Sequence, residues 1–121
     1  MAKILFVEDE PTLQKELKEI LEQEKVKIVS AFDGEQGLKA AQTEKPDLIL
    51  LDLILPKKDG FEVLKDLKAD EKTKNIPVIV LTNLEGIGDV EKALELGATT
   101  YLVKANYKLD DVIAKIKELL G

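Results

Sequence analysis

Asp52 directly follows Leu48–Leu51, a short apolar run bounded by Pro46 on one side and by Pro56 and Gly60 on the other. A run of this kind reads as a strand buried on both faces, so the carboxylate falls where a buried strand gives way to a loop. In open α/β sheets ligands bind beyond the carboxyl ends of the strands, which makes Asp52 a candidate for chemistry rather than packing. The other chemistry-bearing residues stand in equivalent places. Glu8, Asp9 and Glu10 follow the apolar run 3–7, Thr82 ends the run 77–81, and Lys104 ends the run 99–103. Carboxylates that converge on one crevice repel each other and must take up protons or bind a cation. Oxygen ligands with open positions suit Mg²⁺, while a lone lysine and a threonine hydroxyl suit phosphoryl oxygens. Together they describe a phosphoryl-transfer site with Asp52 as nucleophile, working by positioning and charge neutralisation.

The elements that must position these residues follow from hydrophobic periodicity. Strands are predicted at 3–7, 26–31, 47–52, 77–81 and 99–103. Pro11 suits the first turn of a helix, and Leu13, Leu17, Ile20 and Leu21 recur at helical spacing to about Glu24. Asp33-Gly34 reads as a turn and N-cap, opening a second helix with Leu38, Ala40 and Ala41 inward. Asp59 or Gly60 opens a third, with Phe61, Leu64 and Leu67 on one face. Asn83–Gly88 reads as a mobile loop, a fourth helix runs from about Asp89 to Leu96, and Gly97 is its C-cap. The fifth helix spans about 109–120 with Leu109, Val112, Ile113, Ile116 and Leu119 on one stripe. Five strand-then-helix units, with no repeat, linker or low-complexity tract, imply one α/β domain over 1–121. The expected form is a doubly wound, three-layer, flavodoxin-like sheet of five parallel strands in the order 2-1-3-4-5. That order makes strands one and three neighbours, so Glu8 and Asp9 face Asp52, with Thr82 and Lys104 along the same edge.

Composition removes several alternatives. The 121 residues contain no cysteine and no histidine, so disulfides, thiol chemistry, Ser-His-Asp catalysis and histidine metal sites are excluded. The net charge of −6 argues against a nucleic-acid surface. No apolar run is long enough to span a membrane and the first residues do not resemble a signal peptide, so a cytoplasmic location is expected. All 18 basic residues are lysines, so a phosphate would meet point charges rather than guanidinium forks.

The whole chain resembles the receiver domains of bacterial response regulators, close in size to the single-domain chemotaxis-type members. The matching pieces are Val7-Glu8-Asp9-Glu10, Asp52 through Leu55-Pro56 to Asp59-Gly60, Leu81-Thr82, and Gly97-Ala98 through Tyr101-Leu102-Val103-Lys104. The resemblance implies that Asp52 accepts a phosphoryl group from a histidine kinase or a histidine phosphotransfer protein. It implies that Glu8, Asp9 and Asp52 hold Mg²⁺ with the main-chain carbonyl of Ile54, that Thr82 and Lys104 contact the phosphoryl oxygens, and that Tyr101 changes rotamer when Thr82 moves. Such a protein catalyses only its own phosphorylation and dephosphorylation and is not otherwise an enzyme. It signals to a partner protein that the sequence does not name. Leu55 stands where the family often has methionine, Asn83 where a smaller residue is commoner, and Ala105 where proline is usual. A cis bond before a non-proline residue costs about 2.5–4 kcal/mol, so a trans Lys104–Ala105 bond is expected. With the chain closing on the fifth helix, the leading expectation is a stand-alone switch; the alternatives are a receiver from a longer transcriptional regulator or hybrid kinase and an aspartyl-nucleophile phosphatase. The phosphatase is disfavoured by Ile54, which stands where that family wants a second acid. A flavodoxin-type cofactor binder is disfavoured because Glu8-Asp9-Glu10 would repel a phosphate.

Overall fold

The computed structural model describes residues 2–121 and folds them as β1 (Lys3–Val7), α1 (Pro11–Gln23), β2 (Lys27–Ala31), α2 (Gly34–Glu44), β3 (Leu48–Leu51), α3 (Gly60–Ala69), β4 (Val78–Thr82), α4 (Ile87–Glu95), β5 (Thr100–Val103) and α5 (Leu109–Leu120), with a single 3₁₀ turn at Lys104–Asn106. All strand pairings are parallel and the sheet order is β2-β1-β3-β4-β5, the order the periodicity predicts. Strand limits agree with the sequence reading to within a residue. No peptide bond among the described residues is cis, and Lys104–Ala105 is trans.

Side chains alternate across a strand, and here the alternation divides the core in two. Leu5, Val7, Ile49, Leu51, Val78 and Val80 face α2, α3 and α4, where they meet Ala41, Val63, Leu64, Leu67 and Ala93. Ile4, Phe6, Leu48, Leu50, Ile79, Leu81 and Leu102 face α1 and α5, where they meet Leu17, Leu21, Val112, Ile113 and Ile116. The central strands are therefore apolar on both faces, which is why β3 reads as an unbroken run of apolar residues.

Three details differ from the periodicity. α4 begins at Ile87 rather than Asp89, because Gly86 takes the extended N-cap conformation and Gly88 falls inside the first turn. On α5 it is Leu120, not Leu119, that packs inward; at 3.6 residues per turn, Leu120 lies nearer the centre of the stripe set by Leu109, Ile113 and Ile116. On α2 and α3, Leu38, Ala40 and Phe61 are only partly buried, and Lys92 Nζ lies 4.5 Å above the Phe61 ring. The predicted N-caps are present: Asp33 Oδ1 accepts from Gln36 N at 2.8 Å and Asp59 Oδ1 accepts from Glu62 N at 3.1 Å. At the end of α4 the C-cap is Leu96 rather than Gly97, which follows it with φ 107°.

The segment between β3 and α3, which carries Asp52, is wedged between two helix starts. A Cβ on Gly34 would lie 1.8 Å from the Lys58 carbonyl oxygen, and one on Gly60 would lie 2.4 Å from both the Asp52 carbonyl oxygen and Leu53 Cα. Both obstructions are backbone, so neither can swing aside as a side chain would. Gly60→Ala should therefore lower the unfolding free energy by about 1–3 kcal/mol, the usual range for overpacking. Gly88→Ala, whose Cβ would meet nothing within 4 Å, should be neutral or slightly stabilising. Urea unfolding checks both; a Gly60→Ala protein as stable as the Gly88→Ala protein would show that the wedge yields.

Candidate functional site

The parallel register puts the acids side by side. Val7 pairs with Leu51, so Glu8 and Asp52 each stand one residue past the same rung, tied down by Asp52 N to Val7 O and Glu8 N to Ala31 O, both 3.0 Å. Continuing the alternation of Ile4 and Phe6, of Leu48 and Leu50, and of Leu102, the residues Glu8, Asp52 and Lys104 fall on the side of α1 and α5. Lys104 leaves the edge strand β5 and crosses over β4, roughly 10 Å at two inter-strand spacings. Its Nζ reaches Asp52 Oδ2 at 2.9 Å and Glu8 Oε1 at 2.6 Å.

Glu8 and Asp52 are 1% and 4% exposed, whereas Asp9 lies open to solvent. Carboxylate oxygens of the three lie within 4.8 Å of one another. Asp52 Oδ1 accepts from Ile54 N at 3.1 Å, and Glu8 Oε2 accepts from Glu10 N at 3.2 Å. Among the described residues, Lys104 is the cation within ion-pair distance of either buried carboxylate. One ammonium thus serves two buried carboxylates. Burial, aided by the neighbouring Asp52 charge, pushes the Glu8 carboxyl up to about 7, against the pull of Lys104 and the Glu10 N–H. Burial works to lower the Lys104 ammonium, but its contacts with Glu8 and Asp52 outweigh this and the net shift is upward. An all-oxygen set with three carboxylates and too little positive charge fits a hard divalent cation.

Thr82 and Tyr101 share the opposite parity, on the side of α4. Thr82 is fully buried, and its hydroxyl oxygen accepts from Leu84 N at 3.4 Å. Tyr101 pairs in register with Val80, packs against the core, and donates its hydroxyl to Leu84 O at 2.8 Å. Burial first, then the Asp89 and Asp52 charges, raise the Tyr101 phenol. The structure thus gathers Glu8, Asp9, Asp52 and Lys104 into one cluster and joins Thr82 to Tyr101 through the main chain of Leu84. Ile54 contributes its N–H to Asp52, and its side chain is exposed. The sequence points to Leu84 only as an apolar side chain two residues beyond Thr82; its main-chain bonds to Thr82 and Tyr101 carry no residue-type signal. Sequence reasoning missed Gln14, a polar residue on the buried stripe with Leu17 and Leu21.

The description "response regulator receiver domain" fits residues 4–117 of the chain. The transcriptional regulatory protein CiaR of Streptococcus pneumoniae is 42% identical over 120 residues, covering 99% of this chain and 52% of CiaR. The chain spans about half the length of the curated transcriptional regulators it matches. Among solved structures, the non-phosphorylated HemR receiver domain of Leptospira biflexa superposes with a TM-score of 0.91 at 29% identity, covering 100% of this chain and 95% of that one. The receiver domain of the sensor histidine kinase PA1611 of Pseudomonas aeruginosa, with a magnesium ion coordinated in its active site cleft, superposes at 0.87 with 30% identity over 99% and 98% of the two chains.

The raised Glu8 carboxyl makes a signed prediction. A group whose folded-state value lies above its ordinary 4.5 stabilises the fold in its protonated form, fully below that value, and the contribution is lost as pH rises through about 7. A divalent cation competes with that proton, so its affinity should rise across the same window. Thermal melts across it, in EDTA and in excess Mg²⁺, should show the stabilisation by metal growing with pH; a metal effect independent of pH would contradict the protonated Glu8.

Proposed function

Because the chain belongs to the response regulator receiver domain family, we propose that it is the phosphoacceptor switch of a two-component phosphorelay, taking a phosphoryl group onto Asp52 from a phosphohistidine of a histidine kinase or histidine phosphotransfer protein. The observation that carries this is Asp52 itself, a buried carboxylate at the end of β3 held between the Lys104 ammonium and the Ile54 N–H, beside Glu8 and Asp9. A carboxylate oxygen of Asp52 attacks phosphorus; the P–O bond forms as the P–N bond breaks, and the imidazole leaves with the electron pair. Lys104 passes from its carboxylate partners to a phosphoryl oxygen, and the Thr82 hydroxyl donates to another. Glu8, Asp9, Asp52 and the main-chain carbonyl of Ile54 would hold Mg²⁺. When bound, that ion supplies the positive charge that lets an anionic donor approach the acids. The reaction is performed on the protein's own side chain, and no free substrate is turned over.

The switch runs through Leu84. When the Thr82 hydroxyl turns toward phosphate it releases the Leu84 N–H, and the Leu84 carbonyl is the acceptor of the Tyr101 hydroxyl. Loop 83–86, Tyr101 and the start of α4 therefore shift together, a change of population between two arrangements that a partner protein on the α4 side can read. A second reading, control of an output domain in the same polypeptide, is favoured by the length of the transcriptional regulators that the chain matches; the gene sequence beyond Gly121 decides between them.

Asp52→Ala should abolish labelling by acetyl phosphate, as should excess EDTA on the wild type, with intact mass as readout. Equal labelling of the mutant, or full labelling in EDTA, would sink the assignment. Thr82→Ala should leave labelling largely intact while shrinking the phosphorylation-dependent NMR shifts of residues 83–101. Identical shifts in wild type and mutant would remove Thr82 from the switch.

A further inference from the structure

Gln14 is the one polar side chain that α1 buries, at 3% exposure. Its two Nε2 hydrogens are shared among three main-chain carbonyls, Phe6 O at 2.9 Å, Glu8 O at 3.0 Å and Ala31 O at 3.0 Å. The amide therefore sits in the fork where β1 and β2 end, gripping both strands at the point where the chain turns into the acidic segment. The Glu8 carbonyl lies beyond the last rung of the ladder, since β1 pairs only as far as Val7. Gln14 is the donor that the fold provides for it. The grip closes a loop in the sequence as well, because Gln14 N donates to Glu10 O at 3.1 Å. Residues 8–10 are thus held at both ends by one residue of the first helical turn.

What this holds matters because of how the two acids are aimed. Glu8 has partners of its own in Lys104 and the Glu10 N–H. Asp9 is exposed, and among the described residues its side chain has neither a hydrogen bond nor an ion pair. Only its main chain keeps its carboxylate within reach of those of Glu8 and Asp52. The price of the arrangement is visible in Gln14 itself, whose Oε1 is buried without a partner. A side chain that leaves its own oxygen unsatisfied while its nitrogen serves three carbonyls is placed for those carbonyls rather than for packing.

We propose that Gln14 is a positioning residue of the cation site. By fixing the main chain at Glu8 and Asp9 it holds their carboxylates in the geometry that a divalent ion needs, in the way that partners behind metal ligands orient the ligands themselves. The inference rests on the reading of the Glu8, Asp9 and Asp52 cluster as a Mg²⁺ site. It adds a residue that touches neither ion nor phosphate and acts only through the backbone.

The test uses Mg²⁺ alone as probe, titrated into the unphosphorylated protein by calorimetry and by NMR of the amides of residues 8–10. Gln14→Met keeps length and removes every donor; Gln14→Asn keeps the amide but is a methylene short of the fork. Thr73→Val is the control, removing an equally buried hydrogen bond, Thr73 Oγ1 to Leu67 O at 2.6 Å, far from the acids in the sequence. Both Gln14 variants should bind Mg²⁺ about ten- to a hundredfold more weakly. Thr73→Val should lose stability yet bind as the wild type does. Acetyl phosphate labelling of the Gln14 variants should need more Mg²⁺ for its half-maximal rate but recover near the wild-type rate at saturation. If one Gln14 variant fails to fold, the other carries the measurement. Wild-type protein that takes up no Mg²⁺ would overturn the cluster reading and this inference with it. Wild type that binds, with both variants within about twofold of it, would overturn the positioning role alone.

Discussion

One ammonium shared between two buried carboxylates is the interaction on which the site depends. Lys104 can neutralise Glu8 or Asp52 but not both, and Asp9 adds a third negative charge at the rim. Burial, with the neighbouring Asp52 charge added to it, is what raises the Glu8 carboxyl, and the imbalance leaves the cluster favouring further positive charge. Strain of this kind is tolerable only because the surroundings are rigid. The central strands are buried on both faces, and the loop after Asp52 is wedged between Gly34 and Gly60.

The sheet does the rest of the positioning through parity. Glu8, Asp52 and Lys104 continue one set of inward positions; Thr82 and Tyr101 continue the other. The first set makes the charged cluster, facing α1 and α5. The second makes the link to α4 through Leu84. One edge of the sheet therefore serves two faces of the molecule. Asp52 and Thr82 stand on adjacent strands, yet their side-chain neighbours belong to different helices.

Much of this was legible in the sequence, for a physical reason. Buried parallel strands are written as continuous apolar runs, and an acid, threonine or lysine that ends such a run is conspicuous, as at Val7-Glu8, Leu51-Asp52, Leu81-Thr82 and Val103-Lys104. Strand order followed from handedness and short connections rather than from any single residue. Contributions made by main chain were not legible. The Leu84 carbonyl and the Ile54 N–H could belong to any residue type. Gln14 was legible in principle, since a polar residue in phase with Leu17 and Leu21 has to find partners, but its partners are carbonyls and leave no mark of their own. The start of α4 was missed because Gly86 and Gly88 look alike in sequence; one caps the helix and the other lies inside it.

α4 fastens to the body of the protein by very little. Ala93 is its one fully buried residue, Ile87 and Leu94 face solvent, and Lys92 on the Phe61 ring is a contact that water can replace. α3, by comparison, buries Val63, Leu64 and Leu67 as well as its first glycine. Segments with few buried apolar contacts open at low free energy, independently of the global unfolding of the domain. α4 is accordingly the helix whose amides should exchange with solvent first. The stiffness that holds the charged cluster and the looseness of the neighbouring helix are complementary properties of one sheet, set by how many leucines and valines each helix spends on it.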